Sequence, residues 1–414
     1  MDYGLKNENI VCFAGEDWWY HHPHSKNHLL KRYSRKNKVL FVNSITMGLP
    51  SVSNPDFFLK IRRKLRSYMR WLKKAPEGLW VMTPVNLPFY GSRIGRWTNK
   101  VLLVIQLRLA MALLNMRHPI LWIAIPSAAD MVGKLGEKAV LYQVSDKYDA
   151  NEDSALSPRI IREFDRKLKS AADVVLYSGR KLFQEATEPN RYFLEQAVDF
   201  EHFSSLPDAI VEELEGVPHP ILGYFGAMDY VMDTELIEEV ARLRPEWQWV
   251  FIGLKSNLIQ ITAPNVRFLG SKPYKDLPKY IRYFDVCVLP WRHSNAFTSY
   301  GSAIKVREYL ATGKPVVISP LYEYLETPGL RIYRGKDEFI RNVEDALAEC
   351  GPKQSLARQS VVKNCTWDVR ARELAELVQM VLDGKQYVFQ NYAPWITNRA
   401  ERIKRSPVME GPEA

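Results

Sequence analysis

Short apolar runs alternate along this chain with longer stretches of helical period. The runs at residues 10–14, 39–42, 79–83, 120–125, 139–144 and 174–178 are mostly unbroken in Val, Ile, Leu and Phe. Unbroken runs predict strands covered on both faces, as in a parallel sheet flanked by helices. Between them, segments near 28–34, 101–114 and 157–172 space their apolar residues three and four apart and predict helices. The pattern breaks after Phe203, where residues 204–220 hold three prolines, and then restarts. Strands are predicted at 221–225, 247–252, 266–268, 286–289 and 315–319, and helices at 234–243, 275–283 and 302–312. The expectation is an α/β protein with two Rossmann-like, doubly wound domains, residues 1–205 and 206–386, facing across a cleft. Ligands of such sheets bind at the carboxyl ends of the strands. Residues 387–414 remain, with 387–405 expected as a helix crossing back to the first domain.

Composition sharpens this picture in two places. A hydrophobic fraction of 46% with 12% aromatics across 414 residues excludes a disordered chain. The net charge of +10 is unevenly spread: residues 1–150 hold 23 Lys and Arg against 10 Asp and Glu, and the remainder 34 against 37. An excess confined to the first third predicts an anionic partner for that part alone. Cys12 and Cys287 lie within apolar runs, and none of Cys12, Cys287, Cys350 and Cys365 has metal-ligand spacing, so buried free thiols are expected. The polar N-terminus carries no leader-like run, and the longest apolar stretch, 101–114, is interrupted by Gln106 and Arg108. It is short of the roughly 18 apolar residues that span a bilayer.

The most informative stretch runs from Tyr300 through Gly301, Ser302, Lys305 and Glu308 to Gly313 and Pro315. Gly301 and Ser302 open a helix whose free amides and dipole favour an anion such as a diphosphate. Lys305 adds a full charge on the first turn. Glu308, three residues on, shares its face and can accept two hydroxyl hydrogen bonds, as from a ribose. Spacing alone also fits a solvated ion pair between Lys305 and Glu308.

This segment resembles the donor-binding signature of GT-B glycosyltransferases, in particular the bacterial teichuronic-acid, capsule and exopolysaccharide enzymes. Ile221 to Gly226, Trp249 to Gly253, Asn265 to Gly270 and Asp285 to Pro290 resemble the strands and loops around it. The resemblance covers most of 220–320. It implies a nucleoside-diphosphate sugar, UDP-linked by preference, as donor, with Lys305 on its phosphates and Glu308 on its ribose. Gly226 would let backbone approach the diphosphate or the acceptor, Lys255 would add charge, and Tyr274 would lie near the base; a solvated Lys255 and a core-packed Tyr274 stay open. Retaining members carry a second Glu seven residues before the ribose Glu, where this chain has Gly301. That departure resembles the group of the xanthan glucuronosyltransferase and implies inverting, metal-independent transfer with no cofactor. Such transfer needs a base on the first lobe. Asp146 and then Asp149, in a loop after strand 139–144, are the candidates, with Glu16, Asp17 and His22 behind them. A loop or cap hydrogen bond is the plainer role for Asp146. The spacing of His21, His22, His24 and His28 fits no usual zinc site.

Residues 60–74 hold eight Lys or Arg in fifteen positions, with Ile61, Leu65, Tyr68, Met69 and Leu72 at helical spacing. They predict a basic amphipathic helix in which Lys60, Arg62, Arg63, Arg66, Arg70, Trp71 and Lys74 face an anionic bilayer. A core-facing helix with a basic back is the alternative. With the GT-B resemblance, the expectation is a cytoplasmic enzyme, peripheral on the inner face of the cell membrane, glycosylating a lipid-linked saccharide or glycolipid. A retaining transferase or nucleotide-sugar epimerase on the same fold competes with it, and a nucleic-acid-binding protein is the non-enzyme reading.

Overall fold

The structure is a computed structural model describing residues 2–20, 22–45, 62, 66, 68–87, 92–151, 154, 156–293, 295–349 and 351–384. The first lobe is built on β1 (Asn9–Phe13), β2 (Lys38–Val42), β3 (Leu72–Lys74), β4 (Trp80–Met82), β5 (Ile120–Ile123), β6 (Ala139–Val144), β7 (Val174–Tyr177) and β8 (Arg191–Phe193). They form one sheet in the order β3-β4-β2-β1-β5-β6-β7-β8. Every pairing is parallel except β3 with β4. The central strands are buried residue after residue, which accounts for their unbroken apolar sequence. Around them lie α1 (Ser25–Tyr33), α2 (Arg93–Leu113), α3 (Pro158–Ala171), α4 (Arg180–Glu185) and α5 (Phe200–Ser204).

The second lobe has a wholly parallel sheet in the order β11-β10-β9-β12-β13-β14. Its strands are β9 (Ile221–Phe225), β10 (Gln248–Ile252), β11 (Val266–Phe268), β12 (Val286–Leu289), β13 (Val316–Ile318) and β14 (Leu330–Ile332). Its helices are α6 (Thr234–Leu243), α7 (Leu277–Ile281), α8 (Ala296–Tyr300), α9 (Ile304–Thr312), α10 (Lys336–Ala348) and α11 (Pro352–Val362). Both sheets place their strand order reversal, β1/β5 and β9/β12, near the centre, where a doubly wound sheet opens its crevice.

Two expectations are corrected here. Among the described residues α12 (Trp367–Leu382), inside the segment expected to complete the second domain, packs back on the first lobe. Its apolar residues at 367, 371, 374, 375 and 378 form one helical stripe, and they are buried with Leu29, Leu30, Tyr33 and Phe41 of the first lobe. Tyr33 Oη donates to Ala371 O at 2.7 Å and Arg32 pairs with Asp368 at 3.0 Å, pinning α12 to α1. Each large apolar side chain buried there contributes about 1.5–3 kcal/mol, enough to fix the crossing. Residues 387–414 lie outside the described residues.

The second correction concerns 60–74. Arg62, Arg66 and Tyr68 are helical, but Leu72–Lys74 is an edge strand antiparallel to β4. Exposed lysines on an edge strand protect it from pairing with another chain, so here the basic pattern guards a sheet edge rather than extending a helix.

Candidate active site

In the second lobe the site grows from the carboxyl ends of β9 and β10. Gly226 follows β9 with φ 136° and Gly253 follows β10 with φ 147°, backbone that side chains seldom adopt. A Cβ at Gly253 would stand 1.9 Å from Gly226 O, and one at Gly226 would stand 2.3 Å from Lys305 Nζ. Two bare backbone turns therefore lie against each other and against the Lys305 ammonium. That ammonium donates to Tyr224 Oη at 2.9 Å and lies 4.7 Å and 4.8 Å from the ring centres of Tyr224 and Trp291. Among the described residues no carboxylate comes within ion-pair distance of it. A positive charge held by neutral rings keeps its capacity for an incoming anion.

Lys305 lies on the first turn of α9, which begins at Ile304 after Ala303, a residue that offers no side-chain cap. The helix thus starts two residues later than the sequence suggests. Gly301 is extended, and Ser302 is buried, with its hydroxyl facing Arg307 Nη1 at 3.4 Å. The leading amides of α9 have no side-chain cap, which leaves them and the helix dipole available to an anion.

Glu308 is buried one turn along, and its Oε1 accepts from Tyr274 Oη at 3.1 Å. Burial pushes the Glu308 carboxyl up to about 7, while the Tyr274 hydrogen bond and the Lys305 charge pull the other way. The solvated ion pair that spacing allowed is not formed. Glu308 is instead a desolvated acceptor held by one neutral donor. Tyr274 is itself fixed by a stack on His202 at 5.0 Å and an edge contact to His28 at 5.8 Å.

In the first lobe, Asp146 follows β6. Its carboxylate is half-buried and makes no hydrogen bond or ion pair among the described residues. Burial raises it to about 6, Lys26 opposes the rise and Glu16 reinforces it. Lys26, at the start of α1, is itself buried and binds Glu16 at 2.7 Å, and Glu16 follows β1. Three strand and helix ends thus bring together two carboxylates and one buried ammonium, an arrangement that keeps a base poised near neutrality.

Between the lobes, Tyr300 places its carbonyl oxygen 2.8 Å from where a Cβ at Gly179 would stand. Lys147 and Lys181 lie 4.3 Å and 4.2 Å from its ring, and its hydroxyl donates to Glu185 at 2.7 Å. Tyr300 therefore bridges the lobes, and Lys147, the neighbour of Asp146, touches the segment that leads into α9. Asp149 is engaged with Arg162 at 3.2 Å. Lys255 is exposed and lies over Phe268 at 4.6 Å, near the sheet edge. His22 bonds Lys272 O at 2.8 Å and His28 stacks on Trp367 at 4.9 Å; His24 lies 3.8 Å from Glu16, and Asp17 accepts from Trp19 N at 3.0 Å. His21 lies outside the described residues.

Of the basic segment, Arg62 and Arg66 are exposed, Arg70 covers Trp19 at 5.2 Å, Trp71 packs partly against the first lobe's core and Lys74 ends β3. Lys60 and Arg63 lie outside the described residues.

Sequence reasoning missed Lys26, Tyr224, Trp291 and the buried Arg307. Arg307 reaches Glu323 at 3.1 Å and Glu195 at 3.4 Å, and Glu195 also binds Arg370 of α12. This cluster ties α9 to the chain that links the lobes. Arg307 stands two residues from Lys305 in the same motif, and only its burial separates it from a solvated arginine.

With this geometry in view, the similarities to known proteins fall into place. Residues 219–349 match the family model described as Glycosyl transferases group 1. The chain carries a group 1 glycosyltransferase domain. It is 25% identical over 285 residues to TuaH of Bacillus subtilis (strain 168), described as a teichuronic acid biosynthesis glycosyltransferase; the match covers 61% of this chain and 70% of TuaH. Sucrose-phosphate synthase from Thermosynechococcus elongatus superimposes with a TM-score of 0.68 at 14% identity, covering 92% of this chain and 100% of that one. Anabaena HepE in complex with UDP and glucose gives a TM-score of 0.62 at 12% identity, covering 90% and 99%. The fold of this glycosyltransferase is GT-B, as the resemblance implied. Among the described residues no helix is long and apolar enough to cross a membrane.

Proposed function

We propose that this glycosyltransferase binds a nucleoside-diphosphate sugar, UDP-linked by preference, and transfers the sugar with inversion to a lipid-linked saccharide in polysaccharide biosynthesis. The observation that carries this reading is the ammonium of Lys305. It is held by aromatic rings and bare glycine backbone at an uncapped helix start, one turn from the buried Glu308. A diphosphate fits the ammonium and the α9 amides, and ribose hydroxyls donate to Glu308. HepE, with UDP and glucose in its structure, and TuaH, named for teichuronic acid, support the donor class and the pathway class.

In this reading Asp146 takes the proton from the acceptor hydroxyl as that oxygen bonds to the anomeric carbon. The bond from that carbon to the diphosphate breaks, and the electron pair leaves on the diphosphate facing Lys305 and the α9 amides. Lys26 is a positioning residue, holding Glu16 and keeping Asp146 ionised. Asp149, Lys255 and Tyr300 do not join this machinery. No metal is needed, because Lys305 and the helix start supply the charge that a divalent cation otherwise brings. The basic first lobe suits the anionic inner face of the cell membrane.

A thermal-shift screen of UDP-, GDP-, dTDP- and CMP-sugars tests the donor, with stabilisation by one class expected. Stabilisation by none of them would refute the donor reading. The anomeric configuration of the product, read by NMR, tests inversion: retention would remove Asp146 from its role as base.

A further inference from the structure

Helix α2 is amphipathic in an inverted sense. Three of its polar side chains are spent on the protein. Asn99 clamps Leu87, accepting its N–H at 2.7 Å and donating to its O at 2.8 Å. Gln106 does the same to Val85 at 2.8 Å and 2.7 Å, and Arg108 donates to Lys134 O at 3.0 Å. Leu103, Leu107, Ala110 and Met111 face the core. The outward side is left apolar: Ile94, Trp97, Val101, Ile105, Leu109 and Leu113 form a stripe along the whole helix, with Ile94 79% exposed and Trp97 65% exposed. A single exposed leucine is ordinary, but a contiguous stripe of six marks a surface meant for a non-aqueous neighbour.

Charge says which neighbour. Arg93–Leu113 contains no acidic residue, and three of its four basic residues, Arg93, Arg96 and Lys100, gather in its first eight positions, while the fourth, Arg108, is tied to Lys134 O. The strands are parallel and α2 follows β4, so this end of the helix lies at the carboxyl edge of the sheet, the edge that carries Asp146. At 1.5 Å per residue the stripe runs about 30 Å from the cleft rim. A helix with an apolar stripe, a tryptophan, a basic end and no acids fits the boundary between acyl chains and anionic headgroups.

We infer that α2 is the element that seats this enzyme on an anionic bilayer, lying in the plane of the surface with its stripe among the acyl chains and its basic end towards the headgroups. Seated so, the cleft rim opens at headgroup level, where the diphosphate-linked sugar of a lipid carrier stands. The assignment deepens the proposed function, since it rests on a membrane-borne acceptor. It replaces residues 60–74 as the principal docking surface.

The test compares the full chain with Trp97→Glu/Ile105→Glu and, separately, with Arg93→Gln/Lys100→Gln. Sedimentation uses vesicles of phosphatidylcholine alone and of phosphatidylcholine with phosphatidylglycerol. The wild type is expected to prefer the anionic vesicles. The glutamate pair should lose at least about tenfold in partitioning to them, with its melting temperature and UDP-induced shift unchanged. The glutamine pair should lose the preference for phosphatidylglycerol. Equal partitioning of wild type and the glutamate pair would overturn the assignment. So would a wild type that ignores both vesicles, or a change from dimer to monomer by gel filtration with partitioning unmoved, which gives the stripe to a second copy. Turnover of a short-chain, water-soluble acceptor separates this from the transfer reading. If the stripe governs partitioning and no acceptor is glycosylated, the docking stands and the transfer reading fails. If the soluble acceptor is glycosylated and the stripe is inert, the reverse holds.

Discussion

The two lobes share a fold and differ in how they make a site. In the second lobe the groups come from one short helix and two glycine turns, with the Lys305 ammonium half-buried against aromatic rings and the Glu308 carboxyl buried beside the Tyr274 hydroxyl. In the first lobe the charged groups come from three separate chain segments, at Glu16, Lys26 and Asp146, and outside them the surface is basic and striped with apolar residues. A donor common to many enzymes suits a compact local device. An acceptor that differs from enzyme to enzyme, and that is presented by a surface, suits a site assembled from loops whose strand ends the fold holds in place.

This contrast can be broken from either side. The largest effect is expected in the first lobe: Asp146→Asn should lower kcat on the order of 1000-fold while the donor-induced thermal shift stays as in the wild type. Retained turnover would move the base elsewhere, with Glu16 next in line. In the second lobe, Lys305→Ala removes charge-assisted bonds of about 2 kcal/mol and should weaken UDP binding roughly 30-fold by calorimetry. Unchanged affinity would show that the ammonium is a packing element held by Tyr224 and Trp291.

A smaller effect sharpens the account of the first lobe. Asp146 must be ionised to accept a proton, and its carboxyl lies at about 6, so activity should fall as pH drops through that value. Lys26 favours the ionised form, so Lys26→Met should move the acid limb of kcat upward by about one pH unit. Lys26→Arg should restore the limb. A merely structural lysine would lower the plateau and leave the limb in place.

The donor motif was legible in the sequence because its parts are local: a helix start, Lys305 and Glu308 three residues on, and Gly313, whose φ of 75° closes the helix. The strands were legible because burial on both faces leaves unbroken apolar runs. Other features have no local signature. Lys26 reads as one more basic residue of the first lobe until β6 brings Asp146 beside it. Arg307 reads as a surface arginine until Glu195 and Glu323 surround it. The stripe of α12 shows that the helix is buried but not which lobe buries it. At 60–74 a period of basic and apolar residues fitted a helix, and strand pairing with β4 overrode it from Leu72 onward. The outward stripe of α2 was visible as an apolar run, yet only the clamps of Asn99 and Gln106 show which side faces away from the protein.

The division of labour between ammonium and carboxylate is open to one direct measurement. Calorimetric titration of UDP and of its 2′,3′-dideoxy analogue into the wild type and Glu308→Gln at pH 8 isolates the ribose contact. Glu308→Gln is expected to lose about tenfold in affinity for UDP and nothing for the dideoxy analogue, because hydroxyls donating to a charged acceptor are what it forfeits. Equal affinity of both proteins for UDP would contradict the account, since Glu308 would then be a buried carboxyl that holds Tyr274 and nothing else.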